Sequence, residues 1–146
     1  MKINIQRFQT KKIFLCVVGI MIIFLFESCA RKIAFQNSTL VPGAEGTVKV
    51  KKDNNNNYTI QVELSNLAGP SRLEPAMKTY VIWMETDMEN VKNIGQVSSS
   101  TSLLSRRLKA SFETVSAIKP TKIFITAEDD GTVQHPGTLV LTTANF

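Results

Sequence analysis

The chain has 146 residues, 43% of them hydrophobic and 20% charged, which gives room for one ordinary domain and excludes two. Balanced hydropathy and mixed charge argue against wholesale disorder and against a multi-span membrane protein. A formal charge of +5, from 17 Lys and Arg against 12 Asp and Glu, raises the question of nucleic acid. The location of the charges answers it.

Lys2, Arg7, Lys11 and Lys12 all precede a continuous apolar run, and Glu27 is the sole acid before Cys29; beyond that segment 13 basic and 11 acidic residues remain, a net +2. The densest remaining cations are Lys49, Lys51 and Lys52, with no aromatic residues interleaved as base stacking requires. No nucleic-acid partner is expected.

From Ile13 to Phe26 the sequence reads IFLCVVGIMIIFLF, the n-region and h-region of a secretory signal. At about 1.5 Å per residue a helix of this length reaches about 21 Å, short of the roughly 30 Å hydrocarbon core. Glu27, Ser28, Cys29 and Ala30 follow, and a small residue directly before a cysteine at the end of an h-region resembles a bacterial lipoprotein cleavage site. Leu25, Ser28 and Cys29 fit that pattern, whereas Phe26 and Glu27 occupy places where small residues are usual. The resemblance implies a signal peptide over residues 1–28 and a lipidated Cys29 as the first mature residue, with several acyl chains as the membrane anchor. The alternative is a retained signal anchor, for which Arg31 and Lys32 would put positive charge on the translocated side as well.

The two cysteines are Cys16, inside the apolar run, and Cys29, so the exported domain folds without disulfides and must rely on a hydrophobic core. Zinc sites built on thiolates are excluded with them.

Residues 29–45 read as a tether and residues 46–146 as the domain. Gly46 to Lys51 alternates, with Val48 and Val50 on one face and lysines on the other, the period-two mark of a half-buried strand. Asp53 and the four asparagines Asn54 to Asn57 make a hairpin loop, after which Tyr58, Ile60, Val62 and Leu64 alternate with polar residues. Gly69, Pro70 and Pro75 interrupt pairing and predict a crossing to a second sheet.

Thr79 to Thr86 (TYVIWMET) is apolar on both faces, which suits a central strand anchored in the core by Trp83. Val91 to Ser98, Lys109 to Val115, Thr121 to Glu128 and Thr138 to Thr143 complete seven strands, with Ser98 to Ser105 a loop or short helical turn before Arg106 and Arg107. The expected fold is all-β: an antiparallel immunoglobulin-like sandwich of about seven strands. A transthyretin-like or other two-sheet connectivity would give the same alternation. The expected core is Val48, Val50, Tyr58, Ile60, Val62, Leu64, Val81, Trp83, Phe112, Ile123, Ile125, Leu139 and Leu141.

Chemistry is sparse. His135 is the single histidine, and its place before Pro136 and Gly137 reads as an exposed turn residue. Glu128, Asp129 and Asp130 across the same hairpin are its best partners for a metal, but their spacing is not that of an EF-hand loop and alternate strand residues point apart. Glu85, Asp87, Glu89 and Glu113 supply carboxylate pairs without an apolar pocket to raise a pKa. No P-loop, dinucleotide fingerprint or nucleophile elbow is present. Neither catalytic residues nor a metal or cofactor is expected.

Taken in order, GTVKVKK, the Asn-rich hairpin, NYTIQVELSNL, the Pro-containing crossover, TYVIWMET and NIGQV resemble the extracytoplasmic domain of anti-sigma-K-factor-like proteins. The matching residues are Gly46, Leu67, Tyr80, Trp83 and Gly95. They are sandwich-forming residues, so the resemblance implies a fold. Twelve residues precede the apolar run, too few for a zinc-binding or sigma-binding segment, and the chain also resembles small exported bacterial lipoproteins that carry such a domain alone. The expected function is a non-enzymatic, lipid-anchored module of the bacterial envelope, at the outer membrane or facing the periplasm, that binds an envelope protein or a glycan or serves structurally. The alternative is a periplasmic sensor or anti-sigma-like domain on a retained anchor.

Overall fold

The computed structural model describes residues 30–88, 90–97 and 109–146. Its strands are β1 (Arg31–Ala34), β2 (Glu45–Lys52), β3 (Tyr58–Ser65), β4 (Thr79–Thr86), β5 (Val91–Val97), β6 (Lys109–Ser116), β7 (Pro120–Glu128) and β8 (Thr138–Thr142). The seven from β2 onward stand where alternation places them. They form two four-stranded sheets, β1-β2-β3-β6 and β5-β4-β7-β8, and every neighbouring pair is antiparallel. With β1 set aside, β3 pairs with β6 in one sheet and β4 with β7 in the other, so the chain crosses between layers in the immunoglobulin manner. The stretch Ser98 to Ser105, the pair Arg106 and Arg107, and Glu89 lie outside the described residues.

β1 corrects the reading of residues 29–45 as a tether. Arg31 to Ala34 pair with Val50 to Thr47 along the edge of β2. The strand is too short and too charged to show a period of two, since only Ile33 turns inward beside Val48. The chain then ties both layers together: Phe35 N–H donates to Gly46 O and Gln36 N–H to Thr142 O. Val41 and Ala44 are buried, so the ordered domain includes most of the stretch before Gly46.

Local chemistry explains the turns. In the Asn-rich hairpin the Asp53 carboxylate accepts the amides of Asn55 and Asn57, each at 2.8 Å, and Asn56 takes a left-handed φ of 64°, which asparagine tolerates better than most residues. The amide of Asn57 is the largest cause holding the Asp53 carboxyl below its usual range. In the crossover, Leu67 is buried and Tyr80 Oη donates to Ala68 O at 2.7 Å. Burial pushes the Tyr80 hydroxyl up to about 12.

The core between the sheets contains Val48, Ile60, Val62 and Leu64 from the first layer and Tyr80, Ile82, Met84, Ile123, Ile125 and Leu141 from the second. Val50 and Phe112 pack against it while half-buried. Phe112 reaches across to β5, where a Cβ on Gly95 would strike its ring, and Gly95 has a φ of +142° that other residues rarely adopt.

Leu139 and Tyr58 fall short of the expected burial, and Val81 and Trp83 are buried but not between the sheets. Leu139 is 52% exposed, because an irregularity between Ile125 and Thr126 shifts the register of β8 and leaves Val140 and Leu141 to fill the core. Tyr58 is half-buried at the end of its strand, with Lys52 Nζ 5.8 Å from its ring centre. Trp83 is fully buried, but it lies on the outer face of β4 and not between the sheets.

On that outer face Val81 and Trp83 alternate with the inward Tyr80, Ile82 and Met84, and both are 0% exposed. Trp83 stacks on Phe124 of β7 with ring centroids 6.2 Å apart. Substituting Trp83 by Ala is expected to lower unfolding free energy by about 3–5 kcal/mol; because it is the single tryptophan, urea denaturation should be followed by circular dichroism, and an unchanged midpoint would contradict its burial.

Candidate functional site

The two ends of the sandwich differ. One carries short turns: residues 53–57, 87–90 and 117–119. The other carries the longer connections 35–44, 66–78 and 129–137, and loops held on a rigid scaffold are where recognition concentrates. The 129–137 loop is the most built of these.

It begins where β7 ends, beside Thr79, and returns to β8 at Thr138. Between these points it reaches β5, because Asn93 Nδ2 donates to Gly131 O at 2.9 Å and to Val133 O at 3.0 Å. β4 lies between β7 and β5 in the sheet, and Asn93 stands opposite Trp83, so the loop is a strap across the outer face of β4. Gly131 fits close against the amide end of Gln96, which a side chain at that position would have to displace.

The strap is fastened at its base by a polar chain. Trp83 Nε1 donates to Thr126 Oγ1 at 2.7 Å, the Thr126 hydroxyl donates to Glu128 Oε1 at 2.5 Å, and Gly137 N–H donates to the same oxygen at 2.6 Å. Glu128 is 8% exposed. A buried carboxylate is costly unless hydrogen-bonded, and here both donors are supplied locally.

This geometry places the acids named as partners for His135. Glu128 turns inward to hold the hairpin. Asp130 turns onto its own loop, its Oδ1 accepting Thr132 N–H at 2.8 Å and the Thr132 hydroxyl at 2.9 Å. The Thr132 amide is the largest cause keeping the Asp130 carboxyl below its usual range, with the positive charge of Lys78 adding to it. Asp129 and His135 are exposed. Among the described residues no three His, Cys, Asp or Glu side chains are grouped to hold a metal ion.

The other carboxylates are dispersed. Glu85 faces Lys122 at 3.4 Å, Asp87 lies in the turn after β4, and Glu113 accepts from Gln61 Nε2 at 2.8 Å on the outer face of the first sheet. That face is polar throughout its middle, where Lys49 Nζ meets Glu63 at 3.2 Å. Cys29 lies outside the described residues.

What remains at the loop end is a pair of polar grooves. A polar groove of about 510 Å³ runs between the strap and β5, lined by Lys78, Thr79, Gln96, Asp129, Asp130 and Gly131 among others. A wider groove of about 800 Å³ lies over the first sheet, with Lys32, Thr47, Glu63 and Ser111 on its walls. Both offer hydrogen-bonding groups and separated charges. The signal that could have located the strap is Asn93, a polar residue opposite Trp83 whose amide has no use on an open sheet face.

Asn93→Ala removes three hydrogen bonds, two to the strap and one from Gly95 N–H, and is expected to cost about 1–3 kcal/mol, with faster amide exchange over residues 131–134 and little change in β2 and β3; uniform exchange across both sheets would contradict the strap. A depressed carboxyl contributes stability above the pKa of the unfolded chain and loses it as pH falls through the folded value. Titration followed by NMR should therefore give Asp130 a midpoint below an ordinary aspartate, with the Thr132 amide shifting in step.

No protein-family model, curated protein or solved structure matches the chain.

Proposed function

We propose that the protein is a lipid-anchored module of the bacterial envelope that acts by binding or as a structural element and not by catalysis. The observation that carries this reading is the position of β1. The ordered sandwich opens at Arg31, two residues beyond the Ser-Cys pair at positions 28 and 29, so a lipidated Cys29 would hold the short-turn end at the membrane and leave the loop end free.

The chemistry of the loop end favours recognition of an envelope protein or glycan. Glu128 and Asp130 are committed to holding the strap, and Glu85 pairs with Lys122. A sheet face of mixed charge, with Lys49 bridged to Glu63, suits a polar partner.

Intact mass of the membrane-extracted protein, with Cys29→Ser beside it, tests the reading. The expected mass is that of Cys29 to Phe146 plus acyl chains, and this species is lost in the variant. A full-length unmodified mass in both would overturn lipid anchoring and move the sensor on a retained anchor, with its anti-sigma-like domain, ahead.

A further inference from the structure

The short-turn end carries features that the binding reading does not use. Register places all of them together. Arg31 stands beside Val50 at the end of β2, Lys52 beside Tyr58, and Tyr58 beside Ser116 at the end of β6. Residues 117–119 lead directly into β7, whose Pro120 faces Thr86 at the end of β4, and the turn after β4 returns through Val91.

Five large hydrophobic side chains are exposed among the described residues, and four belong to this end: Met88 at 83%, Val115 at 61%, Ile118 at 44% and Val91 at 39%. An apolar side chain at the tip of a turn contributes nothing to a core. The cations Arg31, Lys51, Lys52 and Lys119 sit among them. Of the described acids at the same end, Glu85 is paired with Lys122, which leaves two carboxylates, Asp53, hydrogen-bonded to its own loop, and Asp87, against four cations. Exposed apolar residues rimmed by cations match a bilayer surface, whose headgroups present phosphate above an apolar interior.

We propose that this end rests on an anionic lipid surface, with Met88 and Ile118 reaching into the headgroup layer and Arg31, Lys51, Lys52 and Lys119 against the phosphates. The inference rests on the chain being held in a membrane just before Arg31, a condition that a lipidated Cys29 and a retained apolar run both meet. The spacing of Cys29 and β1 decides the occupant: Ala30 alone stands between them in the sequence, too short a stretch to let the domain stand far from the bilayer.

The test uses the full chain reconstituted in vesicles of phosphatidylcholine alone or with one third phosphatidylglycerol, with detergent-solubilised protein as reference. Lysines are acetylated briefly and Met88 is oxidised briefly, and both are read by mass spectrometry. The expected result is at least a fivefold slower reaction at Lys51, Lys52, Lys119 and Met88 in anionic vesicles, with Lys78 at the far end unchanged, and loss of the lysine protection in 1 M salt. The triple variant K51E/K52E/K119E, checked for folding by circular dichroism, should lose protection of Met88 while still floating with the vesicles.

Protein that floats with the vesicles yet reacts at these positions as it does in detergent would overturn the inference and leave anchoring intact. Protein that does not float would overturn both. Equal protection of Lys78 would mean burial of the whole domain and would also overturn it.

Discussion

The structure depends on burying β4 on both faces. A disulfide-free domain of this size has only apolar area to offset the entropy of ordering its chain, and one sandwich interior supplies a limited amount. Val81, Trp83 and Phe124 form a second, smaller apolar layer outside the sheet, and the 129–137 strap closes over it. That closure requires polar partners where the strap begins and ends, and the Trp83, Thr126, Glu128 and Gly137 chain provides them. No buried side-chain nitrogen or oxygen among the described residues is left without a partner. Because hydrogen-bonded polar groups inside an apolar layer tolerate few alternative arrangements, the same chain that covers the tryptophan also fixes the path of the loop.

A fixed loop is what separates a recognition surface from a disordered turn. Asn93 holds the strap from the β5 side and Glu128 from the β7 side, so the groove beside Lys78 and Asp130 has rigid walls. The amide end of Gln96 lies close against Gly131, and a side chain at position 131 would have to displace it. For the proposed partner, a surface organised in this way would carry little ordering cost, which favours specificity over adaptability. The polar face of the first sheet is pre-formed in the same sense, since its side chains stand on paired strands.

Alternation in the sequence made seven strands and the Asn-rich hairpin legible, because Val48, Ile60, Val62 and Leu64 need only a half-buried sheet to be recognised. It also identified β4 as buried on both sides. It could not say which face of β4 meets the other sheet: TYVIWMET is apolar on both, and the size of Trp83 marks it as buried without telling the inner layer from the outer one. β1 was hidden for the opposite reason, since Arg31, Lys32 and Ala34 carry no apolar signal and pair through backbone groups alone. Leu139 was misplaced by one residue of irregular register, and in a strand one residue changes the face. The strap was illegible because its contacts join Asn93 to Gly131 and Val133, far apart in the chain and unremarkable in type.

The place of β1 changes how the anchor and the domain are related. A strand of four residues with one paired edge is weak alone, but its continuation donates from Phe35 to the first sheet and from Gln36 to the second, and Arg31 lies over the ring of Phe146 near the start of β7. Whatever holds the chain before Arg31 is therefore joined to both layers at once. Were the chain anchored there as proposed, the paired β1 would leave little of the freedom a solvated linker gives, and the direction in which the strap and its groove face would follow from backbone pairing at the opposite end. Under the proposed function, orientation at the membrane and recognition at the loops would both follow from one edge strand.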